Sequence, residues 1–163
     1  VVQLKIVVTS DTHIPGRAKR LPTPLLKECE TADLIIHAGD WVSMEVYREL
    51  SGYAKVVGVH GNVDGDEVRE HFNAKEMIEV NGFNIGIVHG HGEKQTTEKR
   101  ALEAFEEADI IIFGHSHIPM VRYFKKVMLM NPGSPTDKRR MPYYSYGILH
   151  IDEDFRAEIV LFD

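Results

Sequence analysis

The nine histidines of this 163-residue chain are unevenly spread, and four of them fall in two short segments, His89-Gly90-His91 and His115-Ser116-His117. Three more segments set an acid or an amide beside glycine or histidine: Ser10-Asp11-Thr12-His13, His37-Ala38-Gly39-Asp40 and Gly61-Asn62-Val63-Asp64. The donors are carboxylates, an amide oxygen and several imidazoles, with no thiolate, since the one cysteine, Cys29, sits apart. Such a set suits borderline and hard divalent ions: Mn²⁺, Fe²⁺, Zn²⁺, Ni²⁺ or Co²⁺. A bridging carboxylate could hold two of them roughly 3.5–4 Å apart, as in two-metal phosphatases and nucleases. Two divalent ions set against Asp11, Asp40 and a bridging hydroxide leave a residual charge of about +1. That residual attracts a phosphate ester anion and stabilises the charge that grows on its oxygens during attack. Water on such ions is acidified toward neutrality, so no serine or cysteine nucleophile is required.

These segments follow predicted strands. Leu4 to Thr9, Leu34 to Ala38 and Lys55 to Val59 are short aliphatic runs of the interior type. Between them, Thr23-Pro24 opens a helix with Leu25, Leu26 and Cys29 on its apolar face, and Ser43 is the expected N-cap of a second carrying Met44, Val46, Tyr47 and Leu50. Asn81-Gly82 between Glu76–Val80 and Phe83–His89 predicts a type I′ hairpin. Thr96 opens a further helix whose stripe is Ala101, Leu102, Phe105 and Ala108, and Ile110–Phe113 is another interior strand. Met120–Phe124, Val127–Asn131, Tyr143–Ile151 and Arg156–Phe162 read as an antiparallel tail. The sum is an α/β layered sandwich of two mixed sheets with helices outside, a single domain over 1–163. Polar residues just past the strands then gather at one edge of the sheets, where ligands of open α/β folds collect.

At these residues the sequence resembles the calcineurin-like metallophosphoesterase superfamily, and within it the small bacterial and archaeal phosphodiesterase branch of YfcE-like proteins. The five segments occur in the superfamily's order, and Asn131-Pro132-Gly133-Ser134 is similar to a further segment of the branch. The resemblance implies a four-layer α/β/β/α fold and a metal-dependent phosphoesterase, most often a phosphodiesterase, with manganese the first choice of ion. It implies Asp11, His13 and His117 as ligands of one metal, Asn62, His89 and His115 as ligands of the second, and Asp40 as the bridge. It also implies a rival role, because the superfamily includes the Vps29-type retromer subunit, a protein-binding scaffold. Many members carry histidine directly after the motif asparagine, where it assists the leaving group. Here that residue is Val63, which cannot donate a proton, and the branch commonly lacks the histidine too. His91 is the nearest candidate for a substitute acid or a phosphate contact. Without a strong general acid, esters with good leaving groups should react best.

Composition limits the alternatives. Apolar residues make up 43% and charged residues 27% of the chain, which is globular, and no apolar run reaches the length of a membrane span. Val1–Thr9 reads as a strand rather than a signal peptide, and a lone cysteine suits a reducing cytoplasm. A net charge of −6 argues against broad nucleic-acid binding while leaving room for a small anionic phosphoester at a local cationic centre. Self-association stays open, as it is frequent in the resembling branch. Two basic clusters, Arg17-Ala18-Lys19-Arg20 and Lys138-Arg139-Arg140, are read either as solvated loops or as residues that steer phosphate, the second also as an oligomer contact. His37 and His60 are expected to support the site or the core, and His71 and His150 to be structural. Trp41 is open between substrate wall and packing. Glu106-Glu107 is expected on the solvated face of a helix.

Overall fold

The computed structural model describes residues 1–163. Strands β1 (Leu4–Thr9), β2 (Leu34–His37) and β3 (Lys55–Gly58) pair in parallel, connected through helices α1 (Thr23–Cys29) and α2 (Glu45–Ser51). β9 (Tyr144–Ile151) and β10 (Phe155–Phe162) extend that sheet antiparallel, in the order β10-β9-β1-β2-β3. The second sheet runs β4-β5-β6-β8-β7, made from β4 (Lys75–Val80), β5 (Phe83–Val88), β6 (Ile110–Ile112), β7 (Met120–Phe124) and β8 (Val127–Asn131). Asn81 and Gly82 both hold positive φ at the β4–β5 turn, as the type I′ signal requires.

Side-chain alternation along the strands builds the layers. Ile6 and Val8 of β1 point between the sheets, where they meet Ile36, Ile85, Ile87, Ile110, Ile112, Met130 and Leu149. Val7 points outward into a second cluster with Leu25 and Cys29 of α1, Leu50 of α2 and Val68 of α3 (Asp66–His71). On the far side, Ile111 and Leu129 pack with Ala101 of α4 (Thr97–Glu103). The result is a four-layer α/β/β/α sandwich, as expected. Fully burying each aliphatic side chain is worth roughly 1.5–3 kcal/mol, so the three clusters fix the sheets that carry the loops.

Five local expectations need correction. Met44 rather than Ser43 occupies the N-cap of α2 and makes no side-chain bond, while the Ser43 hydroxyl donates to the Ile14 carbonyl at 2.9 Å and accepts a long contact, 3.4 Å, from the Glu45 amide. α3 has no counterpart in the sequence reading, because six mostly charged residues with only Val68 buried leave no apolar period. The tail is not wholly antiparallel, since β8 lies parallel to β6 and only β7 reverses against it. α4 stops at Glu103, so Phe105 and Ala108 pack on the third cluster from the following loop. Glu106 and Glu107 are exposed in that same loop rather than on a helix. Thr96 does cap α4, accepting from the Lys99 amide at 3.2 Å.

Candidate metal centre

Six strands share one direction within their sheets: β1, β2 and β3 in the first, β5, β6 and β8 in the second. Each of the six is followed by one of the segments singled out from the sequence, whereas the antiparallel strands β4, β7, β9 and β10 are not. Just past these ends the backbone turns sharply. Asp11, His13, Asp40, His115 and His117 all take positive φ, between 46° and 71°. Non-glycine residues in the left-handed region are uncommon and cluster at functional sites. Gly114 shows why a residue without a side chain is needed beside them: a Cβ there would stand 2.1 Å from the Ser10 hydroxyl and 2.6 Å from Asp11 Oδ2.

The loops bring two carboxylates and three imidazoles into one buried cluster. Asp11 Oδ2 accepts from the Ser10 hydroxyl at 2.7 Å and the His115 amide at 3.0 Å. Its other oxygen, Oδ1, has no hydrogen bond and lies 3.4 Å from His117 Nε2, 3.7 Å from His89 Nε2 and 3.8 Å from His13 Nε2. Asp40 is arranged the same way. Oδ1 accepts from the Val63 amide at 3.0 Å, and Oδ2 lies 3.1 Å from His89 Nε2 and 3.6 Å from His13 Nε2. The ring tautomers are set from behind. His89 Nδ1 donates to the Ala38 carbonyl at 2.8 Å, and His117 Nδ1 donates to the Asp137 carbonyl, which turns each Nε2 toward the carboxylates.

The electrostatics favour a cation. Burial opposes ionisation of Asp11, but the imidazoles of His117, His13 and His89 gathered around it outweigh that and hold the carboxyl well below its ordinary value. Asp40 is lowered as well, by His89 and the Val63 amide acting against its own burial. Burial also opposes a charged His89, yet Asp40 and Asp11 push its pKa up to about 9. His115 and His91 shift the other way, lowered by burial and by the neighbouring charge of His89. Asp11 Oδ1 and the Nε2 atoms of His13, His89 and His117 are buried without a hydrogen-bond partner. Leaving a buried polar atom unsatisfied costs about 1–3 kcal/mol. One proton can serve only one pair of these atoms, whereas a divalent cation can serve several. Asp11 belongs to two such groupings, one with His13 and His117, the other with Asp40 and His89.

The remaining candidates stand at the mouth. His115 is half-buried, its ring centroid 5.3 Å from that of His89. His91 is exposed, 5.6 Å from His89 and 6.3 Å from His115. Asn62 is exposed on the turn whose next residue, Val63, holds Asp40. Trp41 is packing: fully buried, it lies 3.7 Å from the His37 ring and 4.5 Å from Phe72, and its indole donates to the Val59 carbonyl. His37 accepts from the Gly39 amide through Nδ1, so its Nε2 donates to the Thr12 hydroxyl, and burial drives its pKa down to about 3. His71 packs on Tyr47 and Phe72, and His150 lies 3.2 Å from Glu158.

Sequence reasoning missed the supports. Asp64 is buried and accepts from three backbone amides, Asp40 at 2.9 Å, Val42 at 2.7 Å and Gly61 at 2.7 Å, clamping the Asp40 loop to the Asn62 turn. Its signal was its place in Gly61-Asn62-Val63-Asp64. The Ser134 hydroxyl donates to the Asp11 carbonyl at 2.8 Å and Thr136 to that of Thr12. Asn131 donates to the Gly114 carbonyl at 3.0 Å. The Asn-Pro-Gly-Ser segment thus braces the Asp11 and His115 loops at once.

Known proteins bear on this geometry. Residues 4–154 match the calcineurin-like phosphoesterase superfamily domain. A Methanothermobacter thermautotrophicus protein named "Probable metallophosphoesterase" is 36% identical over 162 residues, covering 95% of this chain and 91% of its own. A phosphodiesterase of Methanocaldococcus jannaschii is 28% identical over 144 residues, 80% of this chain and 83% of its own. Among solved structures, wild-type Vps29 of Entamoeba histolytica complexed with Zn²⁺ superposes with a TM-score of 0.78 at 26% identity, covering 98% of this chain and 100% of that one.

Proposed function

Because the chain belongs to the calcineurin-like phosphoesterase superfamily, we propose that it is a dinuclear-metal phosphodiesterase. In this reading Asp11, His13 and His117 hold one divalent ion, Asn62, His89 and His115 the other, and Asp40 lies between them. The supporting observation is the convergence of Asp11 Oδ1 with three imidazole Nε2 atoms, all buried and otherwise unpartnered. Manganese is the proposed ion, with iron, nickel, zinc and cobalt suited to the same donors. Two such ions would supply positive charge at the phosphoryl oxygens and an acidified water for attack at phosphorus.

The protein's own part is positional and electrostatic. Each aspartate keeps one oxygen tied to backbone or hydroxyl donors and turns the other inward, so the carboxylates need no reorganisation when the site is filled. His89 and His117 are held in the ligand tautomer by backbone carbonyls. Asn62 and His91, exposed at the mouth, face the space a phosphoester must enter: Asn62 to orient a phosphoryl oxygen, His91 to pass a proton to the leaving oxygen. Val63, 47% exposed beside them, supplies none. The proposal covers residues 1–163 as a single cytoplasmic domain acting on a small phosphoester, without broad nucleic-acid binding and with self-association open. No helix is long and apolar enough to cross a membrane.

The test is turnover of bis-p-nitrophenyl phosphate with Mn²⁺, alongside elemental analysis of the purified protein. Asp40→Asn or His115→Ala protein that kept full metal and full activity would sink the ligand assignment. Bound metal in the native chain with no turnover of any phosphoester would instead favour a scaffold role.

A further inference from the structure

The loops that carry the metal-facing residues also form one wall of a groove of about 530 Å³, lined by Ser116, Ile118, Lys138, Arg139, Arg140 and Met141. Ser116 stands between His115 and His117, so the groove begins one residue from the cluster. Every ionisable residue in its lining is basic, in a chain whose net charge is −6. The three cations are not equivalent. Lys138 is turned aside, with its ammonium 4.8 Å from the centre of the Tyr144 ring. Arg139 sits in the left-handed region at φ 50° and reaches the His115 carbonyl at 3.4 Å, a long contact that uses one of its five donors. Arg140 is exposed and has no ion-pair partner. A neighbouring acid, Asp137, is engaged elsewhere, with Arg17 at 3.7 Å and the His117 ring at 4.0 Å.

Resting on the hydrolase reading above, we propose that this groove is a second anion subsite, and that the substrate is a phosphodiester carrying a further phosphate. Dinuclear ions would take the scissile diester, and they give no means of recognising the rest of the molecule. The groove continues from that point with two guanidiniums suited to bidentate contact with phosphate oxygens. Ile118 and Met141 add apolar surface to the same groove, which fits the body of a nucleoside better than a fully hydroxylated sugar. The subsite explains how a chain with acidic overall balance would hold a multiply charged substrate without binding long nucleic acid. One short basic groove provides a local field, and the chain's net charge of −6 disfavours a longer polyanion.

The experiment compares the dinucleotide ApA with its 5′-phosphorylated form pApA in the Mn²⁺-loaded protein. Native protein should prefer pApA by roughly tenfold or more in kcat/KM, less at high salt. Arg139→Gln/Arg140→Gln should bring the pApA-to-ApA ratio close to one, and Arg139→Lys/Arg140→Lys should keep most of the preference. Taking the ratio removes any disturbance of His115 through Arg139, and a thermal melt shows whether each variant is folded. In parallel, calorimetric titration with adenosine 3′,5′-bisphosphate, AMP and fructose 1,6-bisphosphate reads the groove without catalysis. The adenosine bisphosphate should bind roughly tenfold tighter than AMP, with that gain lost in the Gln variant. Equal binding of the sugar bisphosphate would assign the subsite to phosphate alone, with no part for the apolar wall. If no diester at all is turned over but the bisphosphate preference and its loss are seen, the hydrolase reading fails and the subsite stands. A preference that survives the Gln changes, or no preference for a second phosphate in the native protein, overturns the subsite.

Discussion

The inner and outer halves of the candidate centre are built differently. Asp11, His13, Asp40, His89 and His117 are buried, and all but His89 take positive φ. All but His13 are held from behind by a hydrogen bond to the side-chain atom that faces away from the cluster. Asn62 and His91 are exposed and His115 is half-buried. None of these three has a side-chain hydrogen bond to fix it. The inner half is therefore assembled by folding itself, and the outer half is left adjustable where substrate must come and go. An inner change should alter whether the site exists. An outer change should alter how well it is used.

The largest expected effect lies in the inner half. Asp40→Asn removes a charge facing both His89 and His13, and should lower diester turnover by about a thousandfold, since losing roughly 4 kcal/mol of charge stabilisation has that effect on rate. Elemental analysis of the same protein should show less bound metal. Next comes Asp64→Ala, which touches no substrate. It strands three backbone amides, and at about 1–3 kcal/mol for each unpaired group the unfolding free energy from denaturant titration should fall by an amount on the order of 3 kcal/mol or more. Activity should fall with it, because the Asp40 loop and the Asn62 turn lose their common anchor. Normal stability and normal turnover in this variant would mean that the two loops hold their places independently.

The inner half also carries an acid-sensitive element in His37. Its pKa is driven down to about 3 by burial, against 6.5 when exposed. The unfolded chain therefore takes up a proton that the folded chain refuses. This stabilisation is complete above the unfolded value and is lost as pH falls from about 6.5 toward 3, at up to about 1.4 kcal/mol per pH unit. Between pH 6.5 and 4.5, before the lowered carboxylates Asp11 and Asp40 titrate, unfolding measurements should show this slope. His37→Gln should flatten it while lowering stability at pH 7, through the lost bond to Thr12 and the lost ring contact with Trp41. An identical slope in both proteins would move the acid sensitivity to another group.

How much was legible in advance follows the same division. The strands were readable because aliphatic runs alternate against glycine and polar punctuation, and the turn at Asn81-Gly82 has a backbone requirement few other pairs meet. The inner residues were readable because motif order survives in the chain even though residues 11 and 117 meet only in space. The layout of sheets was less so. That β8 joins β6 in parallel is decided by a crossover that returns through β7, and nothing in Val127–Asn131 announces its direction. Short α3 has a single buried residue and no period to detect. Supports such as Asp64 and Ser134 bond to backbone atoms brought near by folding, so their types alone give no hint of their partners. Trp41 was undecidable for a similar reason: a large aromatic beside a ligand suits a wall or a core equally until its neighbours are known.

Two smaller effects would sharpen the outer half. Asn62→Ala should lower turnover by roughly ten- to a hundredfold, less than Asp40→Asn because the ligand lost is a neutral amide rather than a charge. Its melting temperature should hardly move, because the exposed side chain makes no recorded bond. Loss of fold here would mean that the turn depends on Asn62 and that the division between halves is drawn in the wrong place.

His91→Ala is the mildest and the most informative, since the size of its effect should depend on the ester used. If His91 passes a proton to the departing oxygen, it matters little when that oxygen leaves readily as an anion and more as the leaving group becomes basic. With p-nitrophenyl esters the loss should stay under about tenfold, and across a series of increasingly basic phenols and alcohols it should grow toward the hundredfold range typical of general acids. Desolvation lowers its pKa and makes a protonated His91 scarcer at neutral pH, so the native advantage on poor leaving groups should increase as the medium is made mildly acidic. A loss of the same size for every leaving group would assign His91 to holding the phosphate rather than to proton transfer. The outer half would then do no chemistry of its own, and every reactive group would lie in the part that folding assembles.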